Sequence, residues 1–305
     1  MSGLEVVGRE RYGVMPLRGK MLNVRTASLK QIVENEEIVN LCLALGLDFN
    51  KGKRSLTPLE VGEDKNGENG EKMRYGKVMI MADQDHDGSH IKGLLINFFH
   101  HFWPDLAKKP GFLGQFITPL IKVIPKRGNP SLGGHDFFSG GQFDDWLVEN
   151  KDSLSKYNIK YYKGLGTSTS KEGREYFSNL PFHQRDFDWI DSKNKHEKEG
   201  ENVEEEGFNE GELIDLVFSK HRAEERKKWI LSTYQPDSYL DLNSITNVTM
   251  KDFFNKEMIH FSNADNIRSI PSVVDGLKPS QRKVLFGCFK RNLRGEMKVA
   301  QLSGL

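Results

Sequence analysis

The apolar run Val78-Met79-Ile80-Met81 leads through Ala82 into Asp83-Gln84-Asp85-His86-Asp87-Gly88, and a helical pattern follows at once. A short apolar run, a polar turn and an amphipathic helix make the repeating step of a parallel α/β sheet. Lys77 to Ala82 is therefore predicted to be a buried strand. Ser89 to Trp103 is predicted to be helix, because Ile91, Leu94, Leu95, Phe98 and Phe102 recur at three- and four-residue steps and Ser89 can cap the start. Phe116 to Ile124 reads as the next strand. Upstream, Tyr12 to Leu17 reads as a strand and Ala27 to Leu45 as a helix closed by Gly46. The expected class is α/β, a parallel sheet flanked by helices, followed by a mostly helical segment.

The acidic turn carries the chemistry. On an extended backbone alternate side chains share a side, so Asp83, Asp85 and Asp87 are predicted to face together. Three carboxylates so placed repel one another unless a cation sits among them. Hard oxygen donors at the mouth of a strand suit Mg²⁺, which often works with substrate phosphates. An Asp-rich turn also ends strands and caps helices, a role for one or two of the three. A calcium loop of D-x-D-x-D-G type needs a helix before it and a Glu at its twelfth position. Here a strand pattern precedes and Leu94 holds that position.

At 305 residues there is room for about two domains. A net charge of +1 excludes a uniformly basic, nucleic-acid-coating chain and leaves local basic patches open. No apolar stretch is long enough to span a bilayer, so no membrane partner is expected. Met1-Ser2-Gly3-Leu4 lacks the basic start and apolar core of a secretory signal. Cys42 and Cys288 give neither a disulfide framework nor a zinc spacing, which fits a reducing compartment. Gly13 to Lys20 approaches a phosphate-binding loop, but its glycines stand too far apart and Met21 replaces the hydroxyl, so no ATP site is expected.

Lys51 to Lys72 is polar and Gly-rich and reads as a surface loop. Lys160-Tyr161-Tyr162-Lys163-Gly164-Leu165-Gly166-Thr167 sets glycines beside a lysine, which suits close approach to a phosphate and equally suits an ordinary turn. Lys193 to Glu212 is charged and almost without apolar residues, so it reads as a solvated insertion. Leu213 to Leu231 reads as helix. Pro279 can start another helix, with Val284, Leu285, Cys288 and Phe289 on an apolar face and Lys283, Lys290 and Arg294 on a basic one. That basic stripe fits presentation to a nucleic-acid backbone, or a solvated face.

Taken together these segments resemble the DNA-cleavage core of eukaryotic type II DNA topoisomerases. The resemblance rests on Pro16-Leu17-Arg18-Gly19-Lys20, DQDHDGSHIKGLLINF from Asp83, YYKGLGTST from Tyr161, IPSVVDGLKPSQRKV from Ile270, and Lys298-Val299-Ala300-Gln301-Leu302, in family order. It implies a Toprim-like metal-binding domain with its extension over 1–191, a charged insertion over 192–212, a helical connector over 213–260, and the start of a winged-helix DNA-binding domain over 261–305. It implies Mg²⁺ held by Asp83 and Asp85, with Asp87 in support. Arg18, Lys20, Lys163 and Gly164 would line the path of double-stranded DNA, and Lys278, Arg282 and Lys283 would lie near the cleaved strand. Such phosphate contacts position DNA without reading its sequence. The resemblance also implies residence in the nucleus on chromatin, with double-stranded DNA and a full-length type II topoisomerase or a second copy of the chain as partners.

The sequence departs from the family at two points. The family's first Toprim strand ends in Glu-Gly-Asp-Ser-Ala, whose Glu acts as general acid/base; no such motif occurs here, and the first family strand is missing. None of the eight tyrosines matches the nucleophilic one. Strand passage requires a covalent phosphotyrosine. The family also requires ATP, for which this sequence shows no site. The expectation is a Mg²⁺- and DNA-binding core that does not change DNA topology alone. The alternative is a catalytically silent paralogue that binds DNA or a full-length type II topoisomerase and acts in chromosome segregation.

Overall fold

The computed structural model of the protein describes residues 2–47, 73–126, 133–162, 168–190, 208–242 and 244–303. The chain begins with a single turn, α1 (Leu4–Val7), then α2 (Leu29–Val33) and α3 (Glu36–Leu45). The sequence predicts one helix here, and local capping makes two. Ser28 and Gln31 form a capping box on α2, and the Asn35 side chain accepts from the Ile38 N–H to start α3 afresh. Gly46 closes α3 with φ +76°, as its sequence position suggests. Tyr12 to Leu17 is irregular rather than a strand.

The central stretch runs β1 (Val78–Met81), α4 (His86–Phe102), α5 (Pro104–Lys108), β2 (Leu113–Phe116), β3 (Ile121–Pro125), β4 (His135–Phe137), α6 (Gly140–Glu149), a 3-10 turn, β5 (Tyr157–Tyr161), α7 (Ser170–Ser178), α8 (Leu180–His183) and β6 (Gln184–Asp188). The remainder is α9 (Glu210–Phe218), α10 (Ala223–Thr233), β7 (Asn247–Thr249), α11 (Met250–Phe253), a π-helical turn (Phe254–Met258), α12 (Ile259–Ser269), α13 (Pro279–Lys290) and α14 (Val299–Ser303).

Two sheets form. The main one has the order β1-β2-β6-β7, with β1 and β2 parallel, β2 and β6 antiparallel, and β6 and β7 parallel. The α/β class is as expected, but the sheet is mixed rather than wholly parallel. The second sheet, β4-β3-β5, is antiparallel. Phe116 to Ile124 is not one strand. Pro119 cannot donate to a ladder, and the chain leaves the first sheet after Phe116 and joins the second at Ile121.

α4 is the spine of the molecule. Its Ile96, Phe98 and Phe99 are fully buried and share one apolar core with β1, β2, α9 and the α11–α12 stretch. A second, smaller core gathers Ile121, Val123, Phe137, Phe143 and Trp146 under the antiparallel sheet. β1 is less enclosed than expected: Ile80 is buried, while Met81 is exposed.

The segment expected to be a helical connector is an integral part of this body. β7 extends the main sheet, with Phe187 paired to Val248, and Phe253, Phe254 and Met258 lie in the principal core. The expected single helix from Leu213 to Leu231 divides at residues 219–222 into α9 and α10. The last residues of the expected insertion are structured too. Asn209 caps α9 through a capping box with Glu212, and the buried Glu210 carboxylate accepts the backbone N–H of Ile190 at 2.9 Å. Burial raises the Glu210 pKa. The Lys51–Lys72 loop and most of the charged insertion lie outside the described residues.

Candidate metal centre and nucleic-acid interface

The acidic turn begins where β1 ends. β1 sits in register with β2 from Val78 opposite Leu113 to Met81 opposite Phe116, so Asp83 and Asp85 emerge at its carboxyl end. The helix then starts earlier than the sequence pattern suggests. Asp85, not Ser89, is its N-cap, and its Oδ1 accepts the Gly88 N–H at 2.8 Å. Gly88 is there for space: a Cβ on it would stand 1.9 Å from the Asp83 carbonyl oxygen. The turn folds that tightly over the first turn of α4.

The early helix start redirects the third carboxylate. Only Asp83 and Asp85 remain on non-helical backbone, while Asp87 lies in the first turn of α4. The Asp87 carboxylate receives both arms of the Arg268 guanidinium at 2.8 Å and Lys20 Nζ at 2.7 Å. The hydrogen bonds from Arg268 hold its pKa well below the usual carboxylate range. Among the described residues no group of three His, Cys, Asp or Glu side chains is placed to hold a metal ion. The expectation that three alternating carboxylates face one point is therefore corrected, because alternation holds only along extended backbone.

The donor set that remains is two carboxylates at a strand mouth. It fits Mg²⁺, which keeps several waters and is commonly bound by one or two carboxylates plus substrate phosphates. His86 follows directly, its ring parallel to that of His260 at 6.0 Å, and burial lowers its pKa.

The expected DNA-facing residues fall into three groups. Lys20 and Arg18 lie on the irregular N-terminal stretch; Gly19 between them has φ +145°, outside the range most side chains adopt. Lys20 is spent on Asp87, and Arg18 pairs with Glu36 at 3.7 Å on the surface. Near α13, Arg282 binds the Asp275 carboxylate at 2.8 Å, and Lys278 precedes the helix as its N-cap residue. Lys283 is exposed on α13. Lys163 and Gly164 lie outside the described residues.

Residues on either side of positions 163–167 are tied to one carboxylate. That carboxylate is Glu172, which accepts from Lys160 Nζ at 2.8 Å and Tyr162 Oη at 2.5 Å on one side, and from the Thr169 N–H at 2.7 Å on the other. Burial opposes its ionisation, yet the hydrogen bonds from Lys160, Tyr162 and Thr169 prevail and lower its pKa to about 2. Sequence reasoning missed Glu172, although Thr-x-x-Glu is a capping-box pattern. It also missed Arg268, for which no local signal exists.

A further carboxylate approaches α4 from the π-helical turn. Glu257 Oε1 accepts from Lys92 Nζ at 2.8 Å and Ser89 Oγ at 2.9 Å. Lys92 is fully buried, so this is an internal ion pair. Farther along α4, Arg25 donates to Asn97 at 2.7 Å, to Asp215 at 2.8 Å and to His100 Nδ1 at 3.0 Å. Together with the contacts of Asp87, these tie the helix of the acidic turn to the rest of the fold at positions 87, 89, 92, 97 and 100. No described helix is long and apolar enough to cross a membrane.

The family profile for the C-terminal associated domain of TOPRIM matches residues 116–266, and that for the A-type chain of DNA gyrase/topoisomerase IV matches residues 268–305. DNA topoisomerase 2 of Arabidopsis thaliana is 49% identical over 304 residues, covering 100% of this chain and 18% of the relative. The mitochondrial DNA topoisomerase 2 of Dictyostelium discoideum is 48% identical over 305 residues, covering 100% of this chain and 21% of the relative. The chain thus spans about a fifth of the length of these relatives. The crystal structure of the Plasmodium falciparum topoisomerase II DNA-binding, cleavage and re-ligation domain superposes with a TM-score of 0.74 at 45% identity, over 99% of this chain and 36% of that one. Identity along the whole chain and a shared fold make this protein a homologue of the eukaryotic type II DNA topoisomerases, aligned with part of their cleavage region.

Proposed function

We propose that this chain supplies the Mg²⁺-holding and part of the DNA-holding surface of a type II DNA topoisomerase, a protein that changes DNA topology with ATP. The observation that carries the reading is the placement of Asp83 and Asp85 at the carboxyl end of β1, where α4 begins. Asp83 and Asp85 would hold the ion, which when bound offsets the charge of a DNA phosphate. Lys278 and Lys283, together with Lys163 and Gly164, would contact the backbone of double-stranded DNA. ATP would be handled elsewhere in the assembly. The partner would be a second copy of the chain or a full-length topoisomerase, and the compartment the nucleus, with the mitochondrion the competing site.

Titration calorimetry with Mg²⁺ on the chain and on Asp85→Ala tests the metal role, and fluorescence anisotropy with a DNA duplex tests the rest. The expected outcome is at least about tenfold weaker Mg²⁺ binding in the variant, with duplex binding that falls steeply as salt rises. Equal Mg²⁺ affinity in both proteins would remove the metal site, and absence of duplex binding would remove the DNA surface.

A further inference from the structure

The third carboxylate of the acidic turn is committed to contacts that neither metal binding nor helix capping explains. Asp87 receives the Arg268 guanidinium as a two-pronged fork, each prong 2.8 Å long, and the Lys20 ammonium at 2.7 Å. Such a fork fixes orientation as well as charge. The cations are themselves organised. Lys20 Nζ lies 4.6 Å and Arg268 Cζ 5.5 Å from the centre of the buried Phe261 ring, and the His90 ring stacks on Phe261 at 3.9 Å. Arg268 also donates to Asp265 at 3.1 Å. One carboxylate thus ties together the N-terminal stretch, the first turn of α4 and the last turn of α12.

The position of Arg268 gives this knot its meaning. α12 ends at Ser269, and the chain continues through residues 270–278 straight into α13. α13 itself buries no residue, so it makes little contact that would hold it in place. The turn that leads to it is closed locally, by Ser272 N–H to the Leu277 carbonyl at 3.0 Å and by Arg282 on Asp275. The end of α12 is therefore the stem of the basic segment, and Asp87 grips that stem.

We propose that Asp87 is a positioning residue, a clamp that holds the stem of the basic segment beside the acidic turn, and that Asp83 and Asp85 alone bind the ion. The inference rests on the metal and DNA reading given above. It assigns different work to the carboxylates of one turn: two face the ion, and the third sets where Lys278 and Lys283 stand relative to it.

The test uses the full chain with Asp83→Asn, Asp87→Asn, Arg268→Gln and the Asp87→Asn/Arg268→Gln double variant. Mg²⁺ affinity is read by calorimetry and duplex affinity by anisotropy, with urea midpoints to confirm folding. Asp87→Asn is the discriminating variant, because removing a negative charge near DNA strengthens phosphate binding if charge alone matters. The clamp predicts the opposite sign: duplex binding about five- to tenfold weaker in Asp87→Asn, comparably weaker in Arg268→Gln, and no weaker in the double variant than in either single one. Mg²⁺ affinity should drop in Asp83→Asn and change less than about threefold in Asp87→Asn. Tighter duplex binding in Asp87→Asn, or a loss of Mg²⁺ affinity matching that of Asp83→Asn, overturns the proposal. If Asp83→Asn leaves Mg²⁺ binding unchanged, the metal reading fails on its own, and the sign and non-additivity of the duplex measurements still decide the clamp.

Discussion

α4 and α13 are both amphipathic helices that set lysine beside apolar residues, one lysine in α4 and two in α13, and the fold treats them in opposite ways. α4 buries ten of its residues, including Lys92 and both Phe98 and Phe99. α13 buries none: Phe286 is 65% and Phe289 78% exposed, and Val273 before it is fully exposed. The apolar face expected at Val284, Leu285, Cys288 and Phe289 exists, but no described element lies over it. A periodic pattern states which side of a helix is apolar. Burial also requires a second surface at the right distance, and here only α4 has one.

The contrast is broken most sharply at the core. Phe98→Ala should cost about 3–5 kcal/mol, as a large cavity in a well-packed interior does. Phe289→Ala should change stability by less than about 0.5 kcal/mol. Urea unfolding of both variants checks this, and a large loss from Phe289→Ala would show that α13 is held by contacts the exposed face does not reveal.

The buried ion pair offers a second comparison. Glu257→Ala leaves the Lys92 ammonium buried and unpaired and should cost about 3–5 kcal/mol. Lys92→Met combined with Glu257→Leu removes both charges and should cost much less. If the single and double variants lose equal stability, the pair is not what the interior is built around.

Titration separates the two helices again. Burial pushes the His100 pKa on α4 down to about 4 from an ordinary 6.5, and Arg25 donates to its Nδ1, which must then stay unprotonated. The folded state consequently binds fewer protons than the unfolded chain between those values. His100 thus favours folding fully above about pH 6.5, and that contribution is lost as pH falls toward 4. His90, also lowered by burial to about 4, acts in the same direction. Unfolding midpoints measured between pH 7 and 5 should fall in the parent chain and fall less steeply in His100→Gln, where His90 still contributes. α13 contains no histidine and adds nothing to this slope.

The smallest difference concerns helix starts. Thr169 caps α7 with a hydroxyl that accepts the Glu172 N–H at 3.2 Å, so Thr169→Ala should cost about 1 kcal/mol. α13 starts on Pro279 without a side-chain cap, and Ser280→Ala should be nearly neutral. Thermal or urea unfolding resolves both.

Much of the fold was legible in local patterns. The strand, acidic turn and long helix from Lys77 to Trp103 follow from apolar spacing, and Gly46 stops α3 because a glycine accepts positive φ cheaply. Where local signals competed, the pattern misled. Asn35 and Ser28 split an apolar run that looked continuous, and Asp85 claimed the cap assigned to Ser89. That single shift moved Asp87 off the extended backbone and away from the other two carboxylates.

The sequence by itself determined the α/β class, an acidic turn between a strand and a long helix, and the resemblance to the topoisomerases. These are local properties, set by backbone geometry and by spacing within a few residues. Tertiary structure alone decided the partners across long separations: Arg268 with Asp87, Glu257 with Lys92, and Arg25 with Asp215. It also decided that α4 is enclosed while α13 stays open. An ion pair between residues far apart in the chain leaves no periodic trace, because the packing of whole elements brings its two halves together.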